Sequence, residues 1–258
     1  DRRQRQMCIR DRDIYSNSVI VANSQDGWGI KLYRLAIVPK WFDGEGTADD
    51  PFQLKTADDF IKLDTAVGTY AQSHIGDHFK VMNDIDFTGS AFKGVAYGKG
   101  SAYSFGGTLD GNGKTIHNLV VDGITSDDDG TVTTTSIIGL ISVLHPLGTI
   151  KNLTIADDCS FKGYNYTGSV TGASYGRIEN VRNHAPVSGL HSYAGGITGA
   201  SFTTEYNEVS YEGVIVSCYN SADVTGSYST YGGIAGYNSG LVQLCQNDGA
   251  VTGQSLST

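Results

Sequence analysis

The chain has 258 residues and a formal net charge of −9 at pH 7, and its 34 glycines far outnumber its 4 prolines. An acidic chain without a basic stripe is a poor candidate for sequence-independent binding to phosphate backbones. No apolar run approaches the about 20 residues that a helix needs to cross a bilayer. We therefore expect no nucleic-acid partner and no membrane span in this sequence.

The first twelve residues, DRRQRQMCIRDR, do not match the rest of the chain, since they hold five of the 18 lysines and arginines. One interpretation is a basic arm for nucleic acid or anionic lipid. The other is a non-native leader, because the string resembles translated read-through of a sequencing adapter at the end of a metagenomic reading frame. We favour the non-native leader and set residues 1–12 aside from the fold.

Residues 13–42 contain two strand-like runs, at 18–22 and 29–38, on either side of a turn at 25–27. This pattern is typical of a β-hairpin. The segment either packs on the downstream elements or is the tail of a preceding β domain, and both interpretations remain open.

Residues 43–104 are predicted to form an N-terminal cap region. Thr56 and Asp59 have the spacing of a helix capping box, and Phe60 and Leu63 then fall on one helical face. The pattern predicts a short helix near 56–67. We expect it to cover the open first coil of the repeats, as capping elements do in repeat proteins.

Residues 105–258 repeat a pattern of glycine, β-branched and asparagine positions. In the last three copies, a Val-x-Gly step ends at Gly189, Gly226 and Gly253, at intervals of 37 and 27 residues. A period of about 20–50 residues is typical of a stacked array, and alternation of β-branched and polar residues favours strands. The sequence thus predicts an all-β fold, a parallel β-helix solenoid, which we expect to be right-handed by analogy with known β-helices.

Aligned copies place equivalent side chains above one another. The cysteines in these columns are interpreted as small buried apolar residues, although adjacent coils could also bring a pair close enough for a disulfide. The asparagines are expected to hydrogen-bond up the stack, although turn propensity alone also explains them. The predicted structural ladder consists of Val181, Cys218 and Cys245 in one column and Asn183, Asn220 and Asn247 in another.

The middle copy carries an insertion. Its step from Gly199 to Gly213 is ten residues longer than the equivalent steps 172–176 and 236–240, which predicts a surface loop at about 200–212. Only five residues come after Gly253, without a capping pattern. We therefore expect the array to be truncated at the C-terminus and the chain to be a piece of a longer protein.

Two motifs carry a family resemblance. Gly196-Ile-Thr-Gly199 and Gly233-Ile-Ala-Gly236, each succeeded by the Asn and Val-x-Gly positions, resemble the GLUG-motif repeats of bacterial cell-surface proteins. The upstream segments GEGTADDPFQLKTADDF, NDIDF and FGGTLDGNGKTIHNL are similar to the region that often precedes such repeats, so the resemblance covers about 43–253. The family implies an extracellular, β-helical, adhesin-like protein and transfers no catalytic residues. At Gly139-Leu-Ile-Ser142, serine replaces the second motif glycine, so this coil fits less well.

Calcium is the one cofactor that the sequence suggests, at the acidic loop Asp127, Asp128 and Asp129. Carboxylates suit a hard cation, although a run of charges is more often a solvated loop. The segments that start at Asp84 and Asp110 begin like calcium loops but have valine where the bidentate glutamate is needed, so tight turns explain them better.

The inserted loop is the predicted ligand-binding site, because it combines aromatic and acidic side chains on a rigid scaffold. A harmless insertion is the alternative. A sugar-stacking column elsewhere fails, since Tyr166 and Tyr193 align but Thr230 occupies that position in the next coil. The predicted ligand-binding residues are Phe202, Tyr206, Glu208 and Tyr211.

No catalytic residue is predicted. Ser174 stands in a Gly-x-Ser-x-Gly motif like a nucleophile elbow, but no helix comes after it, and the aligned copies show the repeat's own turn. A glycosidase needs two carboxylates about 5–10 Å apart, which Asp122 with Asp157 or Asp158 approximates most nearly.

We therefore expect a non-catalytic, monomeric, extracellular surface module, adhesin-like or a structural stalk, that presents loops to a glycan or protein ligand. Its secretion signal and cell-surface anchor are expected outside this sequence. The alternative is a polysaccharide-degrading β-helix enzyme, either a lyase or a glycosidase.

Overall fold

The structure is a computed structural model that describes residues 41–71, 73–126, 131–227 and 230–253. The predicted leader (1–12) and the predicted hairpin region, up to residue 40, lie outside the described residues.

The described residues form one short helix and many short strands. The helix α1 spans Ala57–Asp64 and continues into a π-helical turn at Thr65–Thr69. In chain order, the strands are β1 (Phe52–Leu54), β2 (His78–Val81), β3 (Ile85–Asp86), β4 (Thr108–His117), β5 (Val120–Asp122), β6 (Ile124–Ser126), β7 (Val132–Thr134), β8 (Ile137–Ile138), β9 (Ile141–Leu144), β10 (Thr149–Ile155), β11 (Ser160–Gly163), β12 (Tyr166–Gly168), β13 (Thr171–Ser174), β14 (Arg177–Asn183), β15 (Val187–Gly189), β16 (Tyr193–Gly195), β17 (Thr198–Ser201), β18 (Thr203–Tyr206), β19 (Val209–Glu212), β20 (Val214–Val216), β21 (Tyr219–Asn220), β22 (Val224–Gly226), β23 (Thr230–Gly232), β24 (Ala235–Asn238), β25 (Leu241–Gln243), β26 (Gln246–Asn247) and β27 (Val251–Gly253).

These strands build four parallel sheets, each of which collects strands from successive coils. Sheet 1 has the order β1-β2-β4-β10-β14-β20-β25, with β3, β21 and β26 beside it; sheet 2 is β27-β22-β15-β11-β5. Sheet 3 is β23-β16-β12-β8 and sheet 4 is β24-β17-β13-β9. The protein is a parallel β-helix, which confirms the predicted fold class.

The coils stack in register. Ile150 pairs with Ile178, Ile178 with Ile215, and Ile215 with Val242. The three isoleucines are fully buried, whereas Val242 is 39% exposed, because no further described coil covers it. Burying each such side chain stabilises the fold by about 1.5–3 kcal/mol, so the apolar columns hold the coils together.

A ladder of asparagine side chains runs through the interior beside these columns. The Nδ2 atom of Asn183 donates to Oδ1 of Asn220 at 2.8 Å, and Nδ2 of Asn220 donates to Oδ1 of Asn247 at 2.7 Å. The first two amides also donate to the carbonyls of Ala185 and Ala222. Because Asn183 and Asn220 are fully buried, these bonds replace those that water would make.

The helix packs its apolar face into the hydrophobic core of the described residues. Its capping box is present, with the backbone N–H of Thr56 donating to Oδ2 of Asp59 at 3.1 Å. Phe60 is fully buried, and its ring packs 5.7 and 6.0 Å from those of Phe87 and Phe92. The helix is thus anchored through its contacts with Phe87 and Phe92, and its role as a cap of the first coil stays a prediction.

Candidate ligand-binding face

The insertion that the sequence predicts as a surface loop at about 200–212 is an antiparallel hairpin. Strands β18 and β19 pair with Thr203 opposite Glu212, and the N–H of Gly213 donates to the carbonyl of Phe202 at 3.0 Å. Asn207 and Glu208 have φ values of 50° and 63°, as in the turns that suit two-residue hairpins. We call Thr203–Glu212 the inserted hairpin.

The hairpin lies back on the solenoid. The ring of Tyr206 meets the ring of His145 edge-on at 4.5 Å, and Tyr211 lies 6.4 Å from Tyr206. Burial lowers the pKa of His145, which favours the neutral imidazole in this contact. Of the predicted binding residues, Tyr206 and Tyr211 are thus half-buried against a coil, while Glu208 is exposed at the turn.

The fourth predicted residue, Phe202, belongs to a larger cluster of rings on the outer surface. Phe202 stacks on Tyr175 at 5.2 Å and contacts Tyr166 and Tyr237 at 6.1 and 5.5 Å. Tyr193 joins Tyr166 at 5.6 Å and Tyr237 at 5.2 Å. The aromatic face is defined as Tyr166, Tyr175, Tyr193, Phe202 and Tyr237.

Sequence reasoning missed this face because it considered a single column. The register does break as expected, since Tyr166 pairs with Tyr193 and Tyr193 with Thr230 in sheet 3. Tyr237 continues the aromatic face, although it belongs to sheet 4, where its backbone pairs with the buried Ala200. Only the contact between neighbouring sheets reveals this continuity.

The rings of the face pack on one another and stay partly exposed to solvent. The planes of Tyr166 and Tyr193 differ by 27°, and those of Tyr175 and Phe202 by 24°. Among the described residues, no protein hydrogen-bond partner meets the hydroxyls of Tyr166, Tyr193 or Tyr237. Burial and the nearby Tyr166 raise the pKa of Tyr175, so its phenol stays neutral. The face offers neutral donors and acceptors on a rigid apolar base.

The charged residues of the inserted hairpin are acidic. Glu205, Glu208 and Glu212 of the inserted hairpin are all exposed. The cation–π contact found among the described residues, Arg182 over Tyr219 at 5.9 Å, lies on sheet 1 instead. A strongly anionic ligand would therefore be repelled at the hairpin side.

The predicted calcium loop, Asp127 to Asp129, lies outside the described residues. Within the described ranges, no group of three or more histidine, cysteine, aspartate or glutamate side chains is placed to hold a metal. In the two segments that begin like calcium loops, a carboxylate accepts from the backbone N–H two residues further on, both at 2.8 Å. Oδ1 of Asp86 accepts from Thr88 in the turn after β3, and Oδ1 of Asp110 accepts from Asn112 where the register shifts inside β4. Hydrogen bonds from Thr88 and then Asn118 lower the pKa of Asp86 to about 2.

Two of the three acids considered for catalysis, Asp122 and Asp158, have other partners. Asp122 lies 3.5 Å from the Lys162 ammonium, and Asp158 accepts a 2.9 Å contact from the ring of His117. Ser174 is fully buried in strand β13, where no substrate reaches its hydroxyl.

A serine–histidine pair lies elsewhere, on the wall of a shallow cavity of about 460 Å³ that Asp157 also lines. Oγ of Ser221 and Nδ1 of His184 are 2.6 Å apart. In the described part of the chain no carboxylate hydrogen-bonds to this histidine, and the N–H of Ser221 is already used by the carbonyl of Asn183. The pair lacks the orienting acid and the free backbone donor that acyl transfer uses.

The predicted cysteine column lies at one corner of the coils. Val181 and Cys218 are buried, and Cys245 is half-buried. The N–H of Cys218 donates to Sγ of Cys245 at 3.4 Å, so the two thiols lie directly above one another. All three described cysteines, which include the separate Cys159, are free thiols.

The fold places the protein in the class of parallel β-helices. Its structure superposes on that of a putative immunoglobulin A1 protease from Bacteroides ovatus with a TM-score of 0.56 and 23% identity, over 79% of this chain and 57% of that one. At this identity the likeness shows the fold alone.

One sequence relative is halomucin from Haloquadratum walsbyi, which is 33% identical over 157 residues. The match takes in 57% of this chain but only 2% of halomucin. No protein-family model matches the chain, so the resemblance to GLUG-motif repeats stays a prediction. Among the described residues, none of the helices is long and apolar enough to span a membrane.

Proposed function

We propose that the protein is a non-catalytic, extracellular surface module of the adhesin-like kind, attached to the cell surface, whose solenoid presents the aromatic face and the inserted hairpin to a glycan or protein ligand. The observation that carries the proposal is the aromatic face, in which each of five rings contacts at least one other on the outside of a rigid scaffold. Tyrosines held in this way offer contact area and hydroxyls at little cost in side-chain entropy. The similarity to halomucin favours the extracellular setting.

The ligand is uncharged or basic on this proposal. Hydroxyl-rich sugars and polar protein loops both match neutral phenols that lack protein partners. The exposed Glu205, Glu208 and Glu212 disfavour sulfated or uronate-rich ligands. Calcium at Asp127, Asp128 and Asp129 is retained as a separate part of the proposal, because three adjacent carboxylates suit a hard cation.

The test is binding of the full chain to arrays of neutral glycans, anionic glycans and extracellular matrix proteins, in calcium and in chelator. Tyr193→Ala removes the ring that contacts both Tyr166 and Tyr237, and should lower affinity about tenfold or more, as truncation of an aromatic anchor does. Tyr219→Ala is the matched control, since this half-buried tyrosine bonds Asp248 on sheet 1. Equal losses in both variants, or binding to anionic glycans alone, would overturn the proposal.

The polysaccharide-degrading alternative is tested in the same samples. A lyase or glycosidase would release shortened sugars from a bound polymer, whereas a binding module leaves the chain length unchanged. The pairing of Asp122 with Lys162 and of Asp158 with His117 favours the binding module.

A further inference from the structure

We propose that Cys218 and Cys245 are an oxidation site, at which a disulfide joins two consecutive coils. Neither the fold nor the proposed function requires this bond. It would add a covalent link to a stack that the described structure holds by hydrogen bonds and apolar packing alone.

The backbone brings the two cysteines opposite each other. Val216 pairs with Gln243 on one side and Tyr219 with Gln246 on the other, so Cys218 stands directly above Cys245. Parallel strands lie about 4.8 Å apart, which falls within the range of about 4.4–6.8 Å that Cα atoms span in disulfides. The register therefore needs no change for the bond to form.

The two side chains are neighbours in the stack, and each thiol is oriented towards the coil before it. Sγ of Cys218 lies 3.8 Å from the carbonyl of Ile178, so the Cys218 side chain has to turn about its χ1 angle for the bond to form. Sγ of Cys245 accepts from the N–H of Cys218 at 3.4 Å and lies 3.6 Å from the carbonyl of Ile215, so it points towards the preceding coil. Disulfide Cβ atoms lie about 3.8 Å apart, somewhat closer than the strand spacing. Val242 and Leu244 beside Cys245 are exposed, so among the described residues few buried side chains oppose this small approach.

The two thiols differ in pKa and exposure, which sets the order in which they react. A hydrogen bond from the Cys218 thiol, and then one from its N–H, lower the pKa of Cys245, whose side chain is half-exposed. The same thiol contact and burial raise the pKa of Cys218. Since the thiolate is the attacking species, Cys245 reacts first.

The oxidant is a small disulfide of the glutathione class. The Cys245 thiolate attacks its S–S bond, forms a mixed disulfide and releases one glutathione thiolate. Cys218 then loses its proton and attacks Sγ of Cys245, which releases the second glutathione. Two protein thiols are oxidised, one glutathione disulfide is reduced to two thiols, and only Cys245 needs contact with solvent.

The experiment exposes the full chain, with Cys8→Ser, to glutathione disulfide and then maps its peptides by mass spectrometry. We expect Cys218 and Cys245 in one linked pair that has lost two hydrogens, with Cys159 still open to alkylation after unfolding. The link closes a loop of 27 residues and should raise the thermal midpoint by roughly 5–10 °C, an increase that dithiothreitol reverses.

Cys245→Ser is the matched control, because it changes a half-exposed side chain and keeps the size of the thiol. Its thermal midpoint should be the same in glutathione disulfide and in dithiothreitol. Recovery of Cys218 and Cys245 as alkylated free thiols after oxidation, or their linkage to Cys159 or to a second molecule, would overturn the proposal.

Discussion

At the scale of single residues, one corner of the coil demands a left-handed backbone. Asn152, Asn180, Ser217 and Leu244 occupy it in successive coils, with φ values between 51° and 56°. Asparagine tolerates this conformation and leucine does not. In the first two coils, Asn180 also donates to Asn152 across the gap at 2.9 Å. Leu244 is the residue that fits its backbone least.

Leu244→Asn should therefore stabilise the protein by about 0.5–1 kcal/mol, because it relieves backbone strain at a side chain that is 77% exposed. Urea denaturation measures the change. The matched control is Leu241→Asn, an exposed strand position without positive φ, which should give no gain. A loss of stability in Leu244→Asn would show that the leucine side chain packs on something that outweighs the strain.

At the scale of the element, the asparagine ladder fixes the register between coils. Asn220 is its central member, since it accepts from Asn183 and donates to Asn247. A shift of one residue would place these amides against apolar neighbours and leave buried polar atoms without partners. The ladder therefore selects one alignment, whereas the apolar columns supply most of the stabilisation.

Asn220→Ala should lower the free energy of unfolding by about 2–4 kcal/mol, because it removes bonds and leaves the buried neighbours short of partners. Asn247→Ala is the control: that side chain is exposed, and its loss should cost about 1 kcal/mol or less. Chemical denaturation of both variants measures the difference. Equal effects would mean that the ladder acts through turn propensity, the alternative that the sequence leaves open.

The columns could be predicted from the sequence because in-register stacking places the same type of residue at the equivalent position of each copy. Ile178, Ile215 and Val242 form one such column. The aromatic face could not, since Tyr237 aligns with an alanine in its own column and meets Tyr193 only across two sheets. The contact of Tyr206 with His145 was equally hidden, because it depends on how the inserted hairpin folds back.

At the scale of the whole molecule, the inserted hairpin is an addition to the coils, which it contacts through Tyr206 with His145 and through Thr203 with Ser239. The hairpin from Thr203 to Glu212 is ten residues long, which equals the excess length of its coil. The N–H of Gly213 donates to the carbonyl of Phe202 at the base of the hairpin, so the coil backbone is continuous in hydrogen bonding without the hairpin. The stack continues past it, with Ser239 N–H donating to the carbonyl of Ser201 at 2.9 Å.

Deletion of residues 203–212 should leave the β-helix folded, with a change in unfolding free energy of about 1 kcal/mol or less. The shorter connection costs less entropy to close, which offsets the lost contact between Tyr206 and His145. Thermal unfolding monitored by circular dichroism tests this expectation. The control deletes ten residues inside a coil, 214–223, which removes strands β20 and β21 and should abolish cooperative unfolding.

The hydrogen bond between Gly213 and Phe202 closes the base of the inserted hairpin. Residues of the hairpin beyond this bond contribute little to the stacking of the coils. Substitutions there should therefore affect ligand recognition rather than folding. Related β-helices can in this way differ in binding specificity while their coils stay unchanged. A foreign peptide inserted between Phe202 and Gly213 should likewise be displayed while the coils stay folded.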